Sequence, residues 1–349
     1  MVCDDGRDYI DMCCALGAIS LGYAETQADP IYEIGEGWIY SLPSIYEDHA
    51  AERVAALAPW ATAWKPLKTG SEATHGAYRV AKAATGRQYV MVGDWAYHGW
   101  HEWCSFNGDE LATVSRTAAR FPHGADMDDA SQNYGAYWAR THEPPAAVFI
   151  EPHRWEPIDV AWLQHVREYC DRVGALLVFD EMIYGGRWAL GGASEYYSVT
   201  PDLACYGKAI GNGAPIAVLV GGQALVDYGE AVSGTYSGDA AALAALSATV
   251  DRYLDEPIID TLWARGRQLA AGIDDVLARY TNVRREGAPV HQRIVFDGDE
   301  TAGQRLAVAM ARRGVLYHPQ VINVSAAHTE FDIDAVVGAL RESCAELFA

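Results

Sequence analysis

The chain has 349 residues, half of them hydrophobic, and its 26 basic and 47 acidic residues give a formal net charge of −21. A chain of this length can bury a large core, and we expect one large domain with a smaller companion. A surface this acidic repels nucleic acid and anionic membranes, so neither is an expected partner, and local groups have to hold any anionic ligand. The seven cysteines form no CxxC pair, and neither a basic apolar leader nor a bilayer-length apolar run occurs, which favours a reducing cytoplasm.

Short apolar strands alternate with helices along most of the chain. This alternation predicts an α/β fold with a mainly parallel sheet that is covered on both faces. In chain order the predicted elements are a turn and short strand within 5–11, a helix at 47–57, an extended piece at 59–66, a helix from Ser71 (its cap) to Gly86, strands at 88–92 and 146–150, a helix at 159–173, and strands at 176–179, 201–206 and 216–220.

The last part of the chain has a different pattern. Long helices at 240–254 and 258–280 precede a strand at 290–296, a helix at 301–312, a strand at 321–325 and a helix at 332–348. This pattern predicts a smaller α+β domain. We therefore expect a large domain over 33–245 and a small domain built from 1–32 and 246–349.

One lysine and one aspartate are placed for cofactor chemistry. Asp180 follows a buried apolar strand, and Lys208 follows the next strand between small residues. A buried carboxylate needs a cationic partner, which is either Arg187 in a salt bridge or the protonated ring nitrogen of a cofactor. A lysine at the ligand edge of the sheet can form an imine with an aldehyde. The pair indicates pyridoxal 5′-phosphate (PLP), whose ring withdraws electrons from the substrate.

Weaker signals lie at two other strand ends. Gly70 and Ser71 lie at a predicted helix start, where backbone N–H groups and the helix dipole can hold a phosphate. Tyr97 can stack on a flat ring or be a core tyrosine. His98, His101 and Glu102 spell HxxHE, which lacks the spacing of the HExxH zinc helix, so we expect no metal; a metal hydrolase is a distant alternative.

Together these segments resemble the class III aminotransferases of PLP fold type I, most closely the branch similar to glutamate-1-semialdehyde aminomutase. The resemblance covers nearly the whole chain and implies a mainly parallel, seven-stranded-type sheet. It also implies an enzyme that moves an amino group between an amine or amino acid and a keto acid or aldehyde. The segments that carry it are DGRDYID, KTGSEATHGAYRVAKAATGR, YHG, FDEM, GGRWALGGASEYYSVTPDLACYGKAIGNG, GTYSG and SAAHTEFDID.

The resemblance also implies a role for each site residue. Lys208 forms the Schiff base and Asp180 pairs with the pyridine nitrogen, and both are the expected catalytic residues. Thr235 reaches the phosphate of the neighbouring subunit's cofactor, which requires a homodimer with active sites at its interface. The other expected cofactor-binding residues are Gly70 and Ser71 at the phosphate, Tyr97 and Met182 on the two ring faces, and Glu151 and His98 in the pocket wall.

Three departures from the family pattern bear on the reaction. Family members carry a longer N-terminal segment, which in the aminomutase supplies an arginine for the substrate carboxylate. The stretch 100–126 looks shorter than the aminomutase's mobile region, and Asp239-Ala240 replaces a common asparagine-proline. The first two favour an aminotransferase over an intramolecular aminomutase, which is the main alternative. A non-catalytic PLP-fold binding protein is a third possibility, which the intact lysine and aspartate argue against.

The sequence does not identify the substrate. Several aromatic residues are candidates for the pocket, and two arginines are candidates for contact with a substrate carboxylate. They are Trp38, Tyr40, Trp95, Trp155, Arg154 and Arg187.

Overall fold

A seven-stranded sheet forms the centre of the protein. The computed structural model describes residues 6–23, 37–104, 117–129, 143–152, 155 and 158–348. The strand order is β2-β8-β7-β6-β5-β3-β4, and the strands from β4 to β7 run parallel. The strands of this sheet are β2 (Ala63–Leu67), β3 (Val90–Gly93), β4 (Ala118–Phe121), β5 (Ala147–Ile150), β6 (Leu176–Asp180), β7 (Leu203–Tyr206) and β8 (Ala217–Gly221).

Strand β8 is antiparallel to both of its neighbours, β2 and β7. Strand β2 therefore runs in the same direction as β3–β7, and its carboxyl end lies at the same edge of the sheet as theirs. Strands β3, β5, β7 and β8 are buried along their whole length, as expected for a sheet covered on both faces. The predicted mainly parallel sheet is confirmed. Strand β4 was not predicted, because Arg120 interrupts a short apolar stretch.

Helix α2 positions the residues that follow β2, and its N-cap lies two residues before the predicted cap. Thr69 is the N-cap: its hydroxyl accepts from the Glu72 N–H at 3.2 Å, and Glu72 Oε2 accepts from the Thr69 N–H at 3.0 Å. This capping box leaves Ser71 inside the first turn rather than at the cap. The helices are α1 (Ile45–Leu57), α2 (Gly70–Thr85), α3 (Val160–Val173), α4 (Gly192–Tyr197), α5 (Gln223–Tyr228), α6 (Ala240–Asp255), α7 (Ile258–Leu277), α8 (Ala302–Arg312) and α9 (Glu330–Phe348).

The C-terminal part forms two smaller sheets. Antiparallel strands β9 (Val283–Ala288), β10 (His291–Phe296) and β12 (Ile322–Asn323) form one sheet, and β1 (Ile10–Asp11) pairs in parallel with β11 (Val315–Leu316) in the other. Strand β9 was not predicted because VRREGA is polar. An apolar cluster joins α7, α8 and α9 to these strands. No helix in the described residues is long and apolar enough to cross a membrane.

Candidate active site

One cavity of about 600 Å³ opens at the carboxyl edge of the central sheet. Strands β2, β3, β5, β6 and β7 all end at this edge, so the residues that follow them converge although they are far apart in the chain. All of the predicted site residues except Thr235 line this cavity: Gly70, Ser71, Tyr97, His98, Glu151, Asp180, Met182 and Lys208.

Lys208 lies two residues after the end of β7 and begins the short 3-10 helix Lys208–Gly211. Its φ of 50° is in the left-handed region, which a non-glycine residue rarely adopts and which is typical of functional sites. The N-terminal segment holds this turn. Asn212 Oδ1 accepts from the Ser20 and Leu21 N–H groups at 3.0 and 3.1 Å, and Ser20 Oγ donates to the Ala209 carbonyl at 3.1 Å. The turn that carries Lys208 is thus fixed by contacts with a distant part of the chain.

Asp180 ends β6, the middle strand of the sheet, and is only 3% exposed. Its Oδ2 lies 2.9 Å from His98 Nδ1, and its Oδ1 accepts from the Met182 N–H at 3.1 Å. The alternative partner considered from the sequence, Arg187, is not bonded to it. Arg187 is fully buried and donates instead to three backbone carbonyls, those of Gly17, Ile19 and Val324. The carboxylate of Asp180 therefore has a histidine as its only ionisable hydrogen-bond partner among the described residues.

Gly70 and Ser71 form the first turn of α2 at the cavity wall. Their N–H groups belong to the first four of the helix, which have no intrahelical acceptor. Gly99 packs against this turn with a φ of 104°, and a Cβ added to it would lie 2.9 Å from Ser71 Cα. The close approach requires glycine at position 99 for both steric and conformational reasons. The arrangement leaves polar hydrogens and a hydroxyl at the cavity, which suits a phosphate.

Glu151 holds the Tyr97 backbone in place and is itself held by Tyr184. Glu151 Oε2 accepts from the Tyr97 N–H at 3.0 Å, and Tyr184 OH donates to Glu151 Oε1 at 3.3 Å. The Tyr97 side chain is 54% exposed, although its backbone is fixed. A flat, partly exposed ring on a fixed backbone is suited to stacking on an aromatic ligand.

Met182 lies between two glycines of the site. A Cβ on Gly70 would lie 2.9 Å from its Sδ, and a Cβ on Gly207 would lie 2.6 Å from the same atom. The thioether therefore occupies the space that side chains would fill beside the Lys208 turn and the α2 N-terminus.

The remaining candidates from the sequence have different outcomes. Trp155 lines the cavity, whereas Trp38, Tyr40 and Trp95 are not among its lining residues. Trp95 packs against Phe121, His123 and Trp162. Arg154 lies outside the described residues. Thr235 is exposed on the surface. The lysine, arginine and histidine residues of the lining that the sequence did not predict have no local signal that links them to this edge: Lys68, His291, Arg293 and His318.

The His98 arrangement does not favour the metal alternative. His98 is bonded to Asp180 through Nδ1, and the His101 ring stacks on Trp100 with its centroid 5.1 Å away. In the described part of the chain, the cluster of side chains that could hold a metal ion lies elsewhere. It consists of Asp126, Asp128 and His165, none of which lines the cavity.

Comparison with known proteins identifies the family. The family model for class III aminotransferases matches residues 1–336. The chain belongs to the class III aminotransferases. It is therefore a PLP-dependent aminotransferase, as the sequence predicted. The resemblance to this family and its fold is confirmed.

Relatives with two different activities are similar to this class III aminotransferase. It is 31% identical over 364 residues to the 3-aminobutyryl-CoA aminotransferase of Cloacimonas acidaminovorans, covering 98% of this chain and 86% of that protein. It is 30% identical over 369 residues to the glutamate-1-semialdehyde 2,1-aminomutase of Methanococcoides burtonii, covering 96% and 87%. The PLP internal aldimine form of the Sphingopyxis sp. MTA144 FumI protein superposes with a TM-score of 0.89 at 28% identity, covering 99% of this chain and 86% of that chain.

The cavity residues fit PLP. At Gly70, Gly99 and Gly207 an added Cβ would collide with Met182 or Ser71. The cavity wall beside the α2 N-terminus therefore requires residues without side chains at these positions. His98 Nε2 is buried without a hydrogen-bond partner among the described residues, while its Nδ1 is bonded to Asp180. PLP requires a lysine for its aldehyde, a buried carboxylate for its ring nitrogen and a helix N-terminus for its phosphate. The cavity contains all three.

Proposed function

We propose that this class III aminotransferase transfers an amino group between two separate substrates, with Lys208 and Asp180 as its catalytic residues. One observation carries the proposal: Lys208 and Asp180 follow neighbouring parallel strands and line one cavity with the first turn of α2. A lysine amine, a buried carboxylate and a phosphate-binding turn in one cavity are the complete set that PLP chemistry needs.

When bound, PLP supplies an electron sink that stabilises negative charge on the substrate carbon that carries the amine. Lys208 Nζ would hold the aldehyde group of the cofactor and would move the proton of that substrate carbon. Asp180 keeps the ring nitrogen protonated, because its own charge is buried and needs a cation. His98 positions the Asp180 carboxylate through the 2.9 Å contact with its Nδ1.

Three further contacts orient the cofactor. The Gly70 and Ser71 N–H groups and the Ser71 hydroxyl would bind its phosphate at the positive end of the α2 dipole. Tyr97 and Met182, which both line the cavity, would pack against the cofactor ring. Glu151 holds the Tyr97 backbone and so acts on the cofactor indirectly.

We also propose a cytoplasmic homodimer in which Thr235 of one subunit reaches the phosphate bound by the other. Thr235 is exposed and is absent from the cavity lining of its own subunit, which supports a role across an interface. The six described cysteines are free, which suits a reducing compartment. The division into a large domain at 33–245 and a small domain at 1–32 and 246–349 is supported by the pairing of β1 with β11.

The test is a two-substrate kinetic analysis of the purified holoenzyme. A panel of amines and amino acids is offered as donors, with pyruvate and 2-oxoglutarate as acceptors. We expect product only when donor and acceptor are both present, parallel double-reciprocal lines, and loss of turnover in Lys208→Ala. Turnover at the wild-type rate in Lys208→Ala would refute the assignment of the catalytic lysine.

An intramolecular aminomutase is the second candidate, because a relative 30% identical over nearly the whole chain has that name. Such an enzyme converts one substrate without a separate acceptor. Isomerisation of glutamate 1-semialdehyde by the holoenzyme alone, at a rate that added keto acid does not raise, would favour it over the aminotransferase.

A further inference from the structure

An arginine from the small sheet, Arg293, lines the same cavity as Lys208. It lies on β10, two residues after His291, and alternate residues of a strand face the same side. His291 lines the cavity as well. The strand thus presents a histidine and an arginine to the space beside the catalytic lysine.

Neighbouring side chains hold the Arg293 guanidinium on one edge and one face. Glu286, its cross-strand partner on β9, accepts from Nε at 2.8 Å and from Nη2 at 2.5 Å through the same oxygen. The guanidinium carbon lies 4.5 Å from the centre of the Trp155 ring. Trp155 also stacks on His291 at 4.9 Å, and its carbonyl accepts from the Gly287 N–H at 3.0 Å. These contacts fix the orientation of the group before any ligand arrives.

The outer edge of the guanidinium is still available. Of its five N–H donors, one on Nε and one on Nη2 serve Glu286, and Nη1 makes no hydrogen bond within the part of the chain that the structure describes. The Nη1–Nη2 edge is the one that binds a carboxylate with two parallel hydrogen bonds. The Arg293 side chain is 32% exposed and lines the cavity, so it is not sealed in the core.

Other basic groups are less suited to an anionic substrate. Lys68 also lines the cavity, but its ammonium group is paired with Asp239 at 3.1 Å and has no planar edge with two parallel donors. Arg187 is fully buried against backbone carbonyls and lies outside the lining. Since the net charge of −21 repels anions at long range, a carboxylate has to be bound by a specific cation inside the cavity.

We propose that Arg293 binds the substrate carboxylate, so that the donors are amino acids and not simple amines. The proposal rests on the aminotransferase function above, and it assigns Arg293 as the residue that determines this specificity. A bidentate, charge-assisted contact predicts that replacing Arg293 by glutamine lowers the reactivity of carboxylate donors about ten- to hundred-fold.

The test compares donors that differ only in the carboxylate. The holoenzyme is mixed with alanine or isopropylamine, 3-aminobutyrate or 2-butylamine, and 4-aminobutyrate or butylamine, in each of which a methyl group replaces the carboxylate. The rate at which the absorbance of enzyme-bound PLP disappears reports the donor half-reaction without any acceptor. We expect wild type to react faster with the carboxylate member of at least one pair, and Arg293→Gln to lose that preference because its rate with the carboxylate member falls. Arg293→Lys should restore part of it.

Arg284→Gln is the matched control, because Arg284 also pairs with Glu286, at 2.7 Å, but is not part of the cavity lining. It should keep the wild-type preference. Calorimetric titration of the wild-type holoenzyme with butyrate and butyramide gives a second readout that needs no variant. We expect butyrate to bind at least about tenfold more tightly.

The two proposals fail in different ways. If wild type reacts with donors but shows no preference in any pair, or if Arg293→Gln keeps the preference, the role of Arg293 is refuted and the aminotransferase function stands. Equal affinity for butyrate and butyramide also refutes the role of Arg293. If no donor consumes the bound PLP in wild type, the proposed function itself is refuted, and the role of Arg293 with it.

Discussion

Replacing Asp180 by asparagine removes a buried charge with almost no change in shape. Asparagine can still accept from the Met182 N–H, and His98 can accept from the new amide in its other tautomer, so the local geometry is expected to survive. Asp180 is 3% and His98 2% exposed, so water screens the carboxylate weakly. At an effective dielectric constant of about 20, a unit charge about 4 Å away contributes about 4 kcal/mol, which corresponds to about a thousandfold in rate.

The assay is the single-turnover donor half-reaction of reconstituted Asp180→Asn holoenzyme, followed by the absorbance of bound PLP. Glu181→Gln is the control for a carboxyl-to-amide change at the neighbouring buried residue. Glu181 is fully buried but faces α4, where it accepts from the Ala193 and Ser194 N–H groups, each at 2.8 Å. We expect a loss of about a thousandfold for Asp180→Asn and a change of less than about tenfold for Glu181→Gln. A rate for Asp180→Asn within tenfold of wild type would refute the electrostatic role of this aspartate.

Three further predictions concern stability and cofactor binding. Gly99→Ala forces a Cβ to within 2.9 Å of Ser71 Cα at a φ of 104°. This substitution should destabilise the fold by about 1–3 kcal/mol and weaken PLP binding. An unchanged PLP dissociation constant in titrations of the apoenzyme would contradict the role of this contact. Arg187→Leu leaves three buried backbone carbonyls without their hydrogen-bond donor. It should lower the free energy of unfolding, measured in urea, by about 3 kcal/mol or more. An altered KM at unchanged stability would instead indicate that Arg187 contacts the substrate. Burial raises the pKa of Glu181 from 4.5 to about 8, so the folded state holds this proton to higher pH than the unfolded state. The free energy of unfolding should therefore fall as pH rises between these two values. An equally steep fall in Glu181→Gln would show that Glu181 is not the cause of this pH dependence.

The central sheet and the polar residues at its edge were predictable from local patterns. The strands at β5 and β6 are short continuous apolar runs, and such runs in an alternating chain indicate a buried parallel sheet. Asp180 directly follows one of them. The convergence of Asp180 with Lys208 then follows from the rule that parallel strands end at a common edge.

The N-cap of α2 shows a local signal that was open to two interpretations. Thr69 and Ser71 are both good caps, and Ser71 was the predicted one. Glu72 stands three residues after Thr69, which completes the capping-box pattern and identifies Thr69. The difference matters because it moves Ser71 from the cap into the first helical turn.

Contacts between distant parts of the chain were not predictable from local patterns. Ser20 and Asn212 meet although 192 positions separate them, and neither has a neighbouring motif that reports the pairing. Arg293 lies in a strand whose polar partner, β9, has no apolar alternation to reveal it. Arg293 lines the cavity only because of the way the small sheet packs beside the central sheet, and local sequence patterns do not report this packing.

The most direct test of the account is to find the residue that carries the cofactor. The holoenzyme is reduced with borohydride, digested and analysed by mass spectrometry for the stable phosphopyridoxyl adduct. Lys68 is an internal control, because it is a second lysine in the lining of the same cavity and is paired with Asp239. We predict the adduct on the peptide that contains Lys208 and none on the peptide that contains Lys68. An adduct on Lys68 or elsewhere, or no adduct at all, would contradict the account.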